Sequence, residues 1–362
     1  MTGSYGQTRS SRPGAAAGRD AYSPHEAYES RARRATAGSG DPAERGEDVF
    51  GGGPAGNGSV RPSRPIPAHR VAEGMSPVLS DSSRISPTAH YTAYVWYRAG
   101  LSYPALATPR GRAFHSLFEG ISAACGRFVR TWALDAMLVR RHLVIDHLLE
   151  RAISERGVRQ VVEIAAGLSP RGLRFMAAHR ERGLVYVEGD LPEMAAVKRQ
   201  RLGRAGLIGA GHHVVTLDAL ADLGPESLPG VAERLLDPAR PTAVITEGLL
   251  GYFGPETAQG VRRRIGAWMA GLPASVYLAD VYFASESRRT RGAKIFRRVL
   301  STIARGRTHY TAETLEAGAA LVREAGLGRV EFHVPRDLSG VLPLPRFPGR
   351  DVVRILEAWN RE

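Results

Sequence analysis

Short apolar runs alternate with amphipathic segments along the second half of the chain, after Gly157. The runs are rich in Val and Ile and lack the polar alternation of strands that have one face in solvent. Strands of this kind are typically buried on both faces, and strands separated by helices pair in parallel. The pattern predicts an α/β domain with a mostly parallel sheet and strands at 161–165, 184–188, 213–217, 242–246, 275–279, 329–334 and 352–359.

Apolar positions at helical spacing predict the helices that connect these strands and precede them. Pro170 fits the first turn of its helix, where the missing N–H is no loss. Ligands of such a sheet bind in the crevice outside the carboxyl ends of its strands, so functional side chains are expected there. The predicted helices are 89–102, 127–152, 170–179, 192–204, 255–270, 286–304 and 311–325.

Residues 1–85 differ from the rest of the chain in composition. They are rich in Gly, Pro, Ser and Arg and contain few large apolar side chains. Such a segment buries too little apolar surface to offset the entropy of ordering it. We expect a disordered tail, followed by a single domain over 86–362.

The net charge of +13 raises the question of nucleic acid as a partner. The basic residues are almost all arginines, mostly placed beside acids, and the densest cluster runs from Arg288 to Arg307. The apolar positions within that cluster fall at helical spacing, which favours an amphipathic helix with a solvated basic face. A site that attracts an anionic substrate is the alternative. Nucleic acid is therefore not the expected partner.

Cys125 is the single cysteine, so an intrachain disulfide and a cysteine-based zinc site are excluded, and no metal site is predicted. No apolar run reaches the ~18 residues of a membrane span. We expect a soluble, cytoplasmic protein with no membrane partner.

Acidic residues follow nearly every predicted core strand. Any one of them could cap the next helix, but together they converge on one edge of the sheet and repel each other. An adenosine-containing cation would offset this repulsion, with ribose hydroxyls at the second strand, adenine at the third and a sulfonium or ammonium at the fourth. The acids are Glu188, Asp190, Asp218, Glu247 and Asp280.

The connection after the first core strand reads VVEIAAGLSPRG, from Val161 to Gly172. Ala165 and Ala166 stand where a dinucleotide loop carries glycine, and only Gly167 remains. Side chains therefore block the backbone approach that a pyrophosphate needs. The loop is predicted to hold a cofactor without phosphate. Arg140 or Arg141 on the preceding helix could bind a carboxylate of that ligand.

Several segments, in order and at similar spacing, resemble the leucine carboxyl methyltransferase family and, within it, the bacterial polyketide O-methyltransferases. The resemblance covers roughly residues 88–280, and each segment alone is weakly specific. It implies a class I S-adenosylmethionine-dependent methyltransferase fold: a seven-stranded sheet with an antiparallel last strand and a helical lid. The segments are TAHYTAYVWYRAGLS, RRHLVID, VVEIAAGLSPRG, YVEGDLPEMAAVKRQ, LDAL and ITEGLLGYF.

Under this resemblance 86–156 is an N-terminal helical cap, 157–284 the cofactor-binding core, 285–325 the lid helices and 326–362 the C-terminal strands. Arg140 would hold the methionine carboxylate of S-adenosyl-L-methionine, Asp190 its ribose, and Asp218 with Ala219 its adenine. The remaining cofactor-binding positions are Glu163, Ala165, Gly167 and Glu247. Ala165 departs from the glycine of the family motif.

The expected activity is methyl transfer to a carboxylate or phenolic hydroxyl of a small molecule, such as a polyketide-type metabolite. A carboxylate is ionised at neutral pH and needs no general base, whereas a phenol does. Tyr252 is considered for the catalytic role, and Tyr94, Tyr97 and Tyr252 for the lid and substrate contacts. The alternatives are an RNA-binding or RNA-modifying protein, and a catalytically silent protein that only binds the cofactor.

Overall fold

The computed structural model describes residues 82–124, 131–288, 308–346 and 350–361. Within these residues a seven-stranded sheet forms the centre of the domain. All seven predicted strands are present, with bounds within three residues of the prediction. They are β1 Gln160–Ile164, β2 Val185–Asp190, β3 His212–Thr216, β4 Thr242–Thr246, β5 Val276–Tyr282, β6 Arg329–His333 and β7 Val353–Trp359.

The strand order is β3-β2-β1-β4-β5-β7-β6. Strands β1 to β5 pair in parallel, whereas β7 runs antiparallel to both β5 and β6. The predicted mostly parallel sheet with an antiparallel last strand is therefore confirmed. The order reverses at β1 and β4, which places a crevice at their carboxyl ends.

Helices connect the strands and precede them. Helix α5 has the predicted bounds, and the predicted helix at 311–325 is shorter in the structure. The described α-helices are α1 Ser82–Arg98, α2 Pro109–Ala124, α3 Thr131–Glu155, α4 Arg171–Ala178, α5 Pro192–Arg204, α6 Leu228–Leu235, α7 Pro255–Met269, α8 Ala284–Arg288 and α9 Leu315–Glu324.

Helices α2 and α6 were not predicted, because both contain residues that usually interrupt helices. In α2, a Cβ on Gly111 would lie 2.2 Å from the carbonyl oxygen of His90, so this glycine permits close packing on α1. In α6, Pro229 occupies the first turn and the Ser227 hydroxyl accepts a hydrogen bond from the Gly230 amide. Pro229 therefore stands at the start of α6, where proline is tolerated, and Gly111 allows α2 to pack closely on α1.

Side chains on the two faces of the sheet belong to two separate hydrophobic clusters. In β5, Val276 and Leu278 face the cluster that contains α3, whereas Tyr277 and Ala279 face the cluster that contains α7. Both faces are covered, as the apolar composition of the strands requires.

Several sequence predictions fall outside the described residues. These are the tail up to residue 81 and most of the basic cluster, residues 289–307. Helix α1 already begins at Ser82. No helix in the described part of the chain is both long enough and apolar enough to cross a membrane.

Candidate functional site

The carboxyl edge of the parallel strands carries a row of acids, as the strand pattern predicted. Ile164 of β1 pairs with Gly189 of β2 and with Thr246 of β4. The residue that follows each of these three therefore lies at the same level, at the carboxyl edge of the sheet. Asp218 follows the end of β3 by two residues. Thr246 of β4 also pairs with Ala279 of β5. The residues at this level of the edge are Ala165, Asp190, Glu247 and Asp280.

The Asp190 carboxylate joins β2 to the loop that follows β1. One oxygen accepts a hydrogen bond from the Gly167 amide at 2.6 Å, and the other accepts from the Leu191 amide at 2.7 Å. Burial raises the pKa of Asp190, and the two amides lower it by a smaller amount. Helix α5 has Leu191 as its N-cap without a side-chain cap. Asp190 therefore fixes the loop beside β1 instead of capping α5.

The loop after β1 has left-handed backbone at two positions. Ala165 has φ of 56° and Gly167 has φ of 50°. Among the described residues other than glycine, Ala165 alone has a positive φ. An L-residue in this region is destabilised by about 1–2 kcal/mol. The structure thus retains a glycine-type backbone where the sequence has alanine.

Replacing Ala165 by glycine is expected to stabilise the protein by about 0.5 kcal/mol. The substitution relieves about 1–2 kcal/mol of backbone strain in the folded protein. It also increases the conformational entropy of the unfolded chain, which destabilises the folded protein by only about 0.4–1 kcal/mol. The matched control is Ala166→Gly, which loses a buried methyl group without relieving strain and should destabilise. Urea unfolding of the two variants measures both effects. Equal destabilisation by both substitutions would contradict the strain at residue 165.

Arg141 of α3 reaches the acids at the strand ends. Its Nε donates to Glu247 at 3.0 Å, and its Nη1 donates to Asp280 at 3.0 Å and to the Tyr282 hydroxyl at 3.3 Å. The second Asp280 oxygen accepts from the Gly248 amide at 2.7 Å. Arg141 therefore contacts two of the acids at the strand ends.

Arg140, to which the resemblance assigns the cofactor carboxylate, binds an acid just before β7. Its Nε and Nη2 bind Asp351 at 3.2 and 3.0 Å, and its Nη1 donates to the Pro345 carbonyl at 2.9 Å. Val353, two residues after Asp351, pairs with Tyr282, two residues after Asp280, so the partner of Arg140 also lies near the carboxyl end of β5. The sequence named both candidates, and the structure gives Arg141 the contacts with Glu247 and Asp280 and Arg140 the contact with Asp351.

Glu247 is at the centre of a buried charged cluster. One of its oxygens binds Arg141, and the other lies 2.9 Å from Nδ1 of His142 and 2.6 Å from Nη2 of Arg171. Burial alone would raise its pKa, but His142, Arg171 and Arg141 together outweigh burial and lower it. Glu247 is therefore a carboxylate at neutral pH.

Arg171 binds Glu163, which the sequence assigned to the cofactor. The guanidinium donates to Glu163 at 2.5 Å and to Asp146 at 2.6 Å, and the second Glu163 oxygen accepts from the Tyr186 hydroxyl at 2.7 Å. Arg171 and Tyr186, the hydrogen-bond partners of Glu163, are both buried side chains. Sequence reasoning missed Arg171, and the signal was Glu163 itself, since an acid inside an apolar strand needs a cationic partner.

Helix α1 covers the loop after β1. A Cβ placed on Gly167 would lie 3.2 Å from the Ala89 methyl group. One residue earlier, Thr88 hydrogen-bonds Tyr252. Burial raises the pKa of Tyr252, and the Thr88 hydrogen bond lowers it by less. Tyr252 therefore keeps its proton at neutral pH.

The two other predicted lid tyrosines lie further along α1. The ring of Tyr94 stacks edge-on against His115 at 5.4 Å and lies 6.3 Å from the ring of Tyr97, which is 36% exposed. The structure gives neither tyrosine a contact with the acids at the strand ends.

Asp218 begins the loop after β3. Its carboxylate accepts from the Leu220 amide at 2.8 Å, and its own amide donates to the Glu226 carbonyl at 2.8 Å. Ala219 is half-buried and packs on the cluster around β4. These contacts hold the loop in place at the crevice beside β2.

Comparisons with known proteins show which sequences and folds this chain resembles. Residues 113–266, less than half of the chain, match the family model described as leucine carboxyl methyltransferase. A protein from Mycolicibacterium gilvum (strain PYR-GCK) named "Putative S-adenosyl-L-methionine-dependent methyltransferase" is 33% identical over 132 residues, which are 36% of this chain and 40% of that protein. A relative of the same description from Parafrankia sp. (strain EAN1pec) is 33% identical over 192 residues, 49% of this chain and 57% of the relative. The chain thus spans about half the length of these relatives.

Two solved structures share the fold. A protein from Thermobifida fusca YX, described as a "putative methyltransferase", superposes with a TM-score of 0.53 over 79% of this chain and 98% of that one, at 16% identity. A DUF574 family protein from Streptomyces avermitilis MA-4680 superposes with a TM-score of 0.51 over 75% and 95%, at 15% identity. The fold is that of class I S-adenosylmethionine-dependent methyltransferases, as expected from the sequence.

Proposed function

We propose that the protein is an S-adenosyl-L-methionine-dependent O-methyltransferase that acts on a carboxylate or phenolic hydroxyl of a small molecule, such as a polyketide-type metabolite. The observation that carries the proposal is the row of acids at the switch point of the sheet, with Asp190 hydrogen-bonded to the Gly167 loop. The matches to methyltransferases over residues 113–266 support it.

The donor and acceptor groups at the crevice fit this cofactor. Asp190 would accept ribose hydroxyls, because each of its oxygens has a second lone pair beyond the amide it already binds. Asp218 and Ala219 would border the adenine. The loop from Ala165 to Gly167 would lie against the methionine moiety, and Arg141 would take the place first assigned to Arg140.

The charge beneath the crevice also suits a cation. Burial and the nearby Arg171 lower the pKa of His142 to about 3, so that imidazole is neutral. Three guanidinium groups then face four carboxylates, which leaves one excess negative charge in the cluster. Its members are Arg141, Arg171 and Arg174 with Asp146, Glu163, Glu247 and Asp280.

When bound, the cofactor supplies an activated methyl group on a sulfonium. The chain's own contribution is to orient the reactants and to exclude water, since a carboxylate acceptor is already ionised. Helix α1 excludes water where Ala89 covers Gly167. Tyr252 keeps its proton, so it can donate a hydrogen bond to an acceptor oxygen but cannot remove a proton from it.

The test is calorimetric titration with S-adenosylhomocysteine, the demethylated product of the cofactor. We expect saturable binding that Asp190→Ala weakens by about 1–3 kcal/mol, because the Gly167 amide and the ribose both lose an acceptor. The matched control is Asp222→Ala, which removes an exposed acid from the loop after β3 and should leave the affinity unchanged.

The outcomes separate the proposal from its alternatives. Absence of binding to the wild-type protein would overturn the cofactor assignment while leaving the fold intact. Binding without turnover of any carboxylate or phenol would indicate a protein that only binds the cofactor. Salt-sensitive RNA binding with no response to S-adenosylhomocysteine would favour an RNA-binding protein.

A further inference from the structure

A group of potential metal ligands lies on the last two strands, outside the site described above. Glu331 of β6 and Glu357 of β7 are directly paired across the antiparallel ladder. His333 lies two residues beyond Glu331 and therefore on the same face of the sheet. One donor atom from each of the three side chains lies within 4.8 Å of the other two. Strand β7 separates Glu331 and His333 from β5, whereas Glu357 pairs with Leu278 of β5, two residues before Asp280.

Outer hydrogen bonds orient both carboxylates toward His333. Arg329 donates through Nε and Nη2 to Oε1 of Glu331, at 2.8 and 2.6 Å. Trp359 donates through Nε1 to Oε1 of Glu357 at 3.0 Å. The other oxygen of each carboxylate faces Nε2 of His333, at 3.9 Å for Glu331 and 2.8 Å for Glu357. Donors that hold the far oxygen of a ligating carboxylate are a regular feature of metal sites.

We propose that Glu331, His333 and Glu357 bind one divalent transition-metal ion, with zinc the best match. One imidazole nitrogen and two carboxylate oxygens are ligands that zinc accepts, and water would complete a tetrahedron. Bonds of about 2.0–2.1 Å to zinc place neighbouring ligand atoms about 3.3 Å apart. The observed 2.8 and 3.9 Å lie on either side of that value, so small side-chain rotations suffice.

The site is open to an ion from solvent. The side chains are 42% exposed for Glu331, 20% for His333 and 10% for Glu357. Two carboxylates paired across a ladder repel each other, and a cation between them removes that repulsion. The metal would replace the hydrogen bond between His333 and Glu357, and any proton on Nε2 would leave to solvent.

The experiment is calorimetric titration of the full-length, chelator-treated protein with zinc chloride. We expect one equivalent to bind to the wild-type protein, with affinity at least tenfold lower in both Glu331→Gln and His333→Ala. Glu331→Gln alters a largely exposed side chain and so keeps the fold intact. The matched control is His213→Ala, on the opposite edge strand β3, and it should bind zinc like the wild type.

Two results would overturn the proposal. One is wild-type protein that takes up no zinc, which would leave His333 and Glu357 as an ion pair only. The other is zinc uptake that both site variants retain, since the metal would then be held elsewhere. Binding of S-adenosylhomocysteine is measured separately, so failure of the metal site leaves the proposed methyltransferase function untouched.

Discussion

Replacement of Glu247 by glutamine is expected to lower the free energy of unfolding by about 3 kcal/mol. Loss of one partner from a buried ion pair typically destabilises by about 3–5 kcal/mol, because the remaining groups keep the cost of their burial and lose a charge-assisted hydrogen bond. The lower end applies here, since Arg141 keeps Asp280 and Arg171 keeps Glu163 and Asp146. Urea unfolding at neutral pH, fitted as a two-state transition, measures the loss.

The matched control is Glu324→Gln, which removes an acid from an ion pair with Arg263. That pair is more than half exposed on both sides, so its loss should change stability by about 0–1 kcal/mol. If the free energy of unfolding falls by the same small amount in both variants, Glu247 is exposed to solvent in solution. The buried ion pairs of Glu247 would then be contradicted.

The pH dependence of the Glu247 variant follows from the direction of its pKa shift. The pKa of Glu247 is lower in the folded protein than its ordinary value of 4.5. The folded protein therefore binds the Glu247 proton less readily than the unfolded chain does. Its stabilising contribution is fully present above pH 4.5 and is lost as pH falls toward the folded pKa. The difference between wild type and Glu247→Gln should shrink in acid.

The strand ends were the part of the site that the sequence could predict. A strand buried on both faces shows as an uninterrupted apolar run, and the residue that ends the run is at the carboxyl edge by topology alone. Asp190 and Glu247 were located in this way, within one residue of their strands. The pairing partner of each acid could not be located similarly, because it depends on helices that pack from far along the chain.

Arg140 and Arg171 show where the sequence was insufficient. Adjacent arginines on α3 differ only in the direction they point, and the packing of α3 on the sheet decides which reaches Glu247. Arg171 is the first residue of α4, and nothing in the sequence of that first turn indicates that its side chain is buried. The group of Glu331, His333 and Glu357 was missed because its members come together only when β6 pairs with β7.

Replacement of Gly266 by alanine is expected to destabilise the protein by about 3 kcal/mol or more. A Cβ on this residue of α7 would lie 1.7 Å from the carbonyl oxygen of Ala325, the C-cap of α9. Overpacking typically destabilises by about 1–3 kcal/mol, and here the obstacle is backbone that cannot rotate away. The two helices must separate, which also strains the hydrogen bond of 2.9 Å from Gln259 to the Leu321 carbonyl. Urea unfolding measures the change.

The matched control is Gly260→Ala on the same helix. Its added Cβ would lie 3.0 Å from Nη1 of Arg264, the far end of a flexible side chain that can move. Alanine is favoured over glycine inside a helix by about 1 kcal/mol, so this variant should gain stability. Opposite signs for the two substitutions establish that contact with α9, not helix propensity, requires glycine at 266. Stabilisation by both would mean that α7 and α9 do not approach as closely in solution as the structure has them.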